Sequence, residues 1–537
     1  MKSSPAAWLF PLIVLASTNA HAAKEFDPGL INQIADEGYN HGQVVNLAAH
    51  LTDQIGGRLT NSPAMRQAET WTQQMFKSWG LKDVHTEAFD FGRGWWIESS
   101  QSRMVAPRNL TLRSIPVAWT PATNGAITAP VIVAPIRHPR DLAKWKGQVK
   151  GKIVLISYPD APKDETTGTF KRLDESELGK LAAYEQPFHD PDANKDMIMK
   201  WIEWARETNR FMAAEGAVAI VKMSYRGNAL LHGEGYFYRK GETVLLPEVE
   251  MAQEDYRRLA RLAKVGEVKL EIDSRVHFDD RDTNGYNIIA DIPGKDPKAG
   301  YVMAGAHLDS WVAGDGAADN GAGSAVIMEA ARILSTLPVK PKRTIRFALW
   351  SGEEQGLLGS SAYIERHLAK RPPQSDPALA KYPFLSDTYP ITPLAGFRDM
   401  AGYFNIDNGS GKIRGIYAEG NFAAIPMLRN WMSPFDSLGA GKVVAQRTGG
   451  TDHEMMAAMG LPAFQFIQDP LDYESRVHHS TLDTFDHLRS EDLRQAAVIL
   501  ATVLLQAAES DTPLPRNVLP RQPGATDPFR YRDPKKD

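Results

Sequence analysis

The sequence predicts an α/β protein: a mostly parallel sheet flanked by helices, with a β-rich module inserted into it. Three observations carry this. From residue 284 to 510 short apolar runs alternate with helical patterns, as parallel strands covered by helices require. Two of the runs break into Gly-rich loops bearing acids or a His, in VMAGAHLDSWVAGDGAADNGAGSAV and TIRFALWSGEEQGLLGS. Such folds present their chemistry in loops at the carboxyl ends of their strands. Residues 121–280 differ in texture, with short β-branched runs around a charged, Pro-containing segment.

Residues 1–22 read as a secretory signal: Lys2, the apolar run Trp8–Ala16, and Ala20-His21-Ala22 as a small-x-small cleavage site. A short buried helix is the alternative. The signal predicts a secreted or periplasmic protein. No second apolar run reaches membrane-spanning length, so no membrane insertion is expected after cleavage. The 537 residues contain no Cys, which removes disulfides, thiolate ligands and Cys nucleophiles. A formal charge of −4 gives no field suited to nucleic acid.

Residues 23–120 form the N-terminal part of the main domain. Asp27 to Ser78 reads as two or three helices. The last starts at Pro63, capped by Asn61 or Ser62, shows Met65, Ala68, Trp71, Met75 and Phe76 at helical spacing, and is closed by Gly80. Val84–Phe91 and Ser102–Val117 read as strands, with Trp95-Trp96 between them as packing residues. In the module at 121–280, Val131–Val133, Ile153–Ile156 and Val218–Val221 are strand-like. An insertion at about 160–210 holds an amphipathic helix, Met197–Met212, whose charges read as a solvated face. Residues 281–510 read as the rest of the main domain, the part that alternates strands and helices. Within it, 368–399 is Pro-rich and long for a connection, as loops that shape active sites often are. The tail, 511–537, is rich in Pro and charge.

The chemistry gathers where the catalytic strands end. His307 follows the run Val302–Ala306, and Asp309 is two residues on, close enough to hydrogen-bond the same imidazole. Asp319 sits in GAADNGAG, just before a helix. Glu353 and Glu354 end the next strand and point apart in extended chain, so one can ligate a metal while the other faces water. Asp407 ends the run Ala401–Ile406, and His479 lies in HHSTLD, close to the C-terminal helix. Each alone reads as a turn, surface or core residue; Asp407-Asn408-Gly409 is a turn signal in its own right. Together, two His and three carboxylates (His307, Asp319, Glu354, Asp407, His479) suit a pair of Zn²⁺ ions sharing one carboxylate. No G-x-S-x-G elbow or H-E-x-x-H helix offers another hydrolytic centre.

In this order, HLDS, GAADNGAG, WSGEEQGLLGS, NIDN and HHSTLD resemble the co-catalytic zinc exopeptidases. These include the leucyl-type aminopeptidases, glutamate carboxypeptidase II and, most similar, the carboxypeptidase Q branch. The resemblance extends to IGGRLTNSPA, and the strands around KGKIVLI and GAVAIV resemble the inserted protease-associated domain. It implies an exported exopeptidase acting on short peptides or dipeptides, with two Zn²⁺ per chain. His307 and Glu354 would be terminal ligands, Asp319 the bridge, with Asp407 and His479 completing the pair. Glu353 would be the general base and Asp309 would orient His307. Several relatives carry a Tyr before the last ligand; here, in resemblance to the carboxypeptidase Q branch, His478 stands there, either as an oxyanion donor or simply packed beside His479. Asp452, in GGTDH, is either a substrate-loop residue or a plain helix cap, the cap being preferred; His453 is not expected to ligate. Arg447 and Arg476 could grip a peptide carboxylate but read more simply as surface charges. Which peptide end is trimmed stays open, and a homodimer is compatible. The alternatives are a non-catalytic binding protein or glutaminyl-cyclase-type amide chemistry.

Overall fold

The structure is a computed structural model that describes residues 27–161, 168–184, 191–235, 240–241, 243–385 and 388–517. The signal segment at 1–22 and most of the tail lie outside the described residues. Two eight-stranded sheets organise the chain.

The catalytic sheet runs in the order Lys82–Asp90, Asn284–Ile292, Thr344–Trp350, Tyr301–His307, Met400–Asn405, Ala463–Gln468, Ile413–Tyr417 and Lys442–Val444. Its four central strands, from Thr344–Trp350 to Ala463–Gln468, are parallel, and antiparallel pairings flank them. Every residue of Tyr301–His307 is buried, because helices cover both faces, and such strands read as unbroken apolar runs. On one face lies Ala322–Thr336, backed by Ser490–Glu509, Pro28–Tyr39 and Val44–Ala49. The close approach has a visible cause: a Cβ on Gly38 would fall 2.3 Å from Val498. The other face is filled by Tyr363, Ile364, Leu368, Phe397 and Met456.

The N-terminal helices form as the sequence predicts. Pro63–Ser78 is capped by Ser62, whose Oγ accepts from the Met65 amide at 3.2 Å. The second sheet, however, begins well before residue 121. Gly94–Ala106 pairs along its length with Lys269–Asp279, so the chain leaves the catalytic sheet at Asp90 and rejoins it at Asn284. The expected strand Ser102–Val117 is instead the end of Gly94–Ala106 followed by Leu110–Leu112 and Ser114–Pro116. Trp95 is buried and donates from Nε1 to the Thr120 carbonyl, while Trp96, on the opposite face, stacks on His277. Alternation across a strand separates the pair.

The insertion contributes the helices Glu175–Ala182 and Pro191–Ala214. Ile198, Met199 and Ile202 of the longer one pack on Tyr382 and Leu385 of the 368–399 connection, and Arg206 donates to the Tyr382 hydroxyl at 2.9 Å. The connection is not wholly irregular: Ala369–Lys370 pairs with Thr392–Pro393, and Ala395–Asp399 is helical. No helix among the described residues is long and apolar enough to cross a membrane.

Candidate metal centre and active site

Parallel pairing sets His307 level with Trp350 and Gly305 level with Asn405. The loops after these strands therefore open at one edge of the sheet, where residues far apart in the chain converge. Asp319 stands between two histidines. Its Oδ1 lies 3.2 Å from His307 Nε2 and its Oδ2 lies 3.1 Å from His479 Nε2. Asp407 Oδ1 is 3.5 Å from the same nitrogen of His307. Glu354 Oε2 is 3.0 Å from the same nitrogen of His479. The five residues thus divide into two half-sites, His307 with Asp407 and His479 with Glu354, sharing Asp319.

The support around them is also defined. His307 Nδ1 donates to the Asp309 backbone carbonyl at 3.0 Å, which leaves Nε2 as the nitrogen facing the carboxylates. The expected side-chain contact is absent: the Asp309 carboxylate is 3.8 Å away. It accepts instead from Thr60 Oγ1 at 3.0 Å and from the Glu353 and Glu354 amides at 3.3 Å each, fixing the Glu-Glu turn. Asp483, the last residue of HHSTLD, accepts from the amides of Ala318 and Asp319 at 2.6 and 3.2 Å. It fixes the loop carrying the shared carboxylate. Nothing in HHSTLD marks this role for its last residue.

Asp309, Asp319, Glu354, Asp407 and Asp452 are all buried here, and Glu353 is nearly so. Burial pushes the Glu354 carboxyl up to about 7, the neighbouring Asp319 adding to it, and burial holds Glu353 well above the usual range. Buried carboxylates at this density call for cations. Glu354 Oε1 is buried with no hydrogen-bond partner, an acceptor left over for a ligand. Imidazole and carboxylate without thiolate is a donor set that suits Zn²⁺. The residues fit a zinc centre.

His478 stacks on His479 with ring centroids 3.7 Å apart and places Nε2 at 3.7 Å from Asp319 Oδ2. Burial, then the adjacent His479, pushes its imidazole down to about 4, so it is neutral near pH 7. Its nitrogen falls within 4.8 Å of donor atoms of Asp319 and His479, as His307, Asp319 and Glu354 do among themselves. Asp452 makes no capping bond to the helix His453–Ala457. The preferred cap reading gives way to one in which Asp452 is buried beside the centre, pushed up to about 7 by burial and by Asp407 and Asp309. His453 turns away to Glu419, 3.2 Å off. Arg476 is 3.4 Å from Asp472, and Arg447 lies against Gly420. The inserted sheet also reaches the site: Glu234 Oε1 is 2.7 Å from His479 Nδ1. No motif marks Glu234; only the fold brings it there.

Residues 287–504 match peptidase family M28. That stretch is therefore similar to the co-catalytic zinc exopeptidases. Carboxypeptidase Q of Mus musculus is 26% identical over 473 residues, covering 87% of this chain and 86% of that one. Carboxypeptidase Q of Homo sapiens is 24% identical, covering 87% and 86%. Among solved structures, the peptidase M28 precursor of Shewanella amazonensis superposes with a TM-score of 0.63 at 24% identity, over 90% of this chain and 97% of that one. The zinc aminopeptidase BSAP of Bacillus subtilis gives 0.56 at 19% identity, over 87% and 95%. These M28 peptidases share the mixed α/β fold. The protein is therefore a zinc metallopeptidase.

Proposed function

We propose that this M28 peptidase is an exported enzyme that holds two Zn²⁺ per chain and trims short peptides or dipeptides from a chain end. The observation that carries this is Asp319, each of whose oxygens faces the Nε2 of a different histidine at 3.2 and 3.1 Å. His307 and Asp407 would hold one ion, His479 and Glu354 the other, with Asp319 common to both. When bound, such a pair lowers the pKa of water and polarises a scissile carbonyl.

The protein side chains divide the remaining work. Glu353, 4.0 Å from His307 Nε2, accepts the proton of the attacking water and passes it to the leaving amine. Neutral His478 donates to the developing substrate oxyanion. Asp309 keeps the Glu353–Glu354 turn in place. The insertion helix, resting on Tyr382 and Leu385, and the 368–399 connection limit access to chain ends. Export rests on the signal-like residues 1–22, and the inserted sheet is read as a protease-associated domain.

The test uses metal-analysed protein, wild type beside Glu353→Gln. Each is given one unblocked dipeptide, its N-acetylated form and its C-amidated form. Two Zn²⁺ per chain in both proteins, with hydrolysis reduced by roughly 10²–10⁴ in the variant, is the expected result. Loss of cleavage on acetylation identifies an aminopeptidase, on amidation a carboxypeptidase, and on both a dipeptidase. Wild-type protein that holds no zinc and cleaves none of the three sinks the proposal.

A further inference from the structure

We infer that Glu234, on a loop of the inserted sheet, is a positioning residue of the zinc centre that acts by holding the imidazole of His479. The inference rests on the two-zinc reading above and adds a residue from outside the catalytic domain.

His479 turns Nε2 to Asp319 and Glu354 and turns Nδ1 to Glu234 Oε1, 2.7 Å away. An ionised carboxylate only accepts, so this contact fixes the proton on Nδ1 and leaves the Nε2 lone pair for a metal. It also fixes the ring plane and raises the basicity of the ligating nitrogen. Both side chains are only 9% exposed, so water competes little for the bond.

Glu234 is itself held. Tyr225 Oη donates to the same Oε1 at 3.1 Å, and the Tyr225 ring stacks on His232 at 3.8 Å. His232 is fully buried, and its Nδ1 and backbone amide both reach Glu250 Oε1, at 2.9 and 3.0 Å. The Gly233 amide donates to the other oxygen of Glu250, and the Gly233 carbonyl accepts from Ala118 at 2.9 Å. On the far side, a Cβ on Gly235 would sit 2.4 Å from the Ala118 carbonyl oxygen. This loop also grips the chain around His479. Arg226 donates to the carbonyls of His478 and Glu474 at 2.7 and 3.1 Å, and the Thr481 amide donates to the Leu231 carbonyl at 2.9 Å.

The two half-sites are therefore built differently. His307 is oriented by a carbonyl of its own strand end. His479 is oriented by a charged side chain delivered by the inserted sheet. Removing Glu234 should loosen one ion and spare the other.

The experiment titrates full-length wild type, Glu234→Ala and Glu234→Gln with Zn²⁺ against a chromogenic chelator. The expected result is two tight ions in wild type. In the alanine variant one ion is unchanged and the other is weaker by about 10–100-fold. The glutamine variant, whose amide oxygen still accepts from Nδ1, loses less. Unchanged binding of both ions by Glu234→Ala overturns the inference. So does equal weakening of both, which marks a structural role. If the alanine variant does not fold, the glutamine variant decides alone: selective weakening supports the inference and wild-type binding overturns it. Fewer than two ions in wild type overturns the two-zinc reading itself, and the inference with it.

Discussion

The guanidinium of Arg58 donates to the Gly316 carbonyl at 2.7 Å across 258 residues of sequence. The same side chain bonds the carbonyls of Leu308 and Asp315 at 2.8 Å, Gly56 at 2.9 Å and Leu51 at 3.1 Å. A fully buried cation, lowered to about 10 by burial and supported by Asp483 and Asp309, thus shapes the loop leading from His307 to Asp319. Arg58→Lys keeps the charge but offers three donors where five carbonyls wait. It is expected to cost about 3–5 kcal/mol of stability, as broken buried networks do. Urea unfolding of the two proteins measures it.

Asp483→Asn should weaken both zinc ions together. The carboxylate accepts from two successive amides, Ala318 and Asp319, and a carboxamide oxygen replaces only part of that. Because Asp319 serves both half-sites, the loss should be shared, roughly 10-fold at each. A zinc titration that shows one ion spared argues against a shared Asp319.

His478→Ala should retain both ions and lose about 10²–10³ in kcat, the usual effect of deleting one oxyanion donor. Zinc analysis beside steady-state kinetics separates this from ligation. Loss of an ion would make His478 a metal ligand; full turnover would make it a packing residue.

Glu87 gives a pH-dependent prediction away from the centre. It accepts from His367 Nε2 at 2.8 Å and Arg366 Nη1 at 3.0 Å. Burial raises its carboxyl, but His367 and Arg366 outweigh burial and hold it below its ordinary value of 4.5. A depressed folded-state value means stability that is present above 4.5 and is lost as pH falls through the folded value. Glu87→Gln should therefore cost ~1 kcal/mol at pH 7, the figure kept small because both partners are partly exposed. The deficit should shrink below pH 4.5 as wild-type Glu87 takes up its proton. Melting curves from pH 3 to pH 8 would show a constant gap if the idea is wrong.

Much of the centre was legible because its donors end strands. His307, Asp319, Glu353, Glu354 and Asp407 each follow an apolar run or fill a Gly-rich turn, and local pattern suffices to mark such positions. The rest depends on long-range pairing. That Gly94–Ala106 belongs to the second sheet follows from its register with Lys269–Asp279, which no window of sequence contains. Glu234 is equally hidden, since nothing in its neighbourhood distinguishes it from a surface acid until Thr481 and Leu231 are hydrogen-bonded. For Asp309 the spacing to His307 suggested a side-chain bond, yet a strand end turns the backbone carbonyl inward first. IGGRLTNSPA, to which the resemblance extends, contains Arg58, whose role appears only with all five carbonyls around it.

The spread of the candidate ligands from residue 307 to residue 479 has a consequence for how the chain matures. Contacts so far apart in sequence form late, after the entropy of long loops has been lost. The second half-site waits further, on a segment pinned by the inserted sheet. Zinc cannot nucleate this fold in the way it nucleates a small zinc finger. It would be captured by a nearly finished protein. In refolding from urea, recovery of helical signal should precede zinc uptake, and the last ion to bind should be the one held by His479.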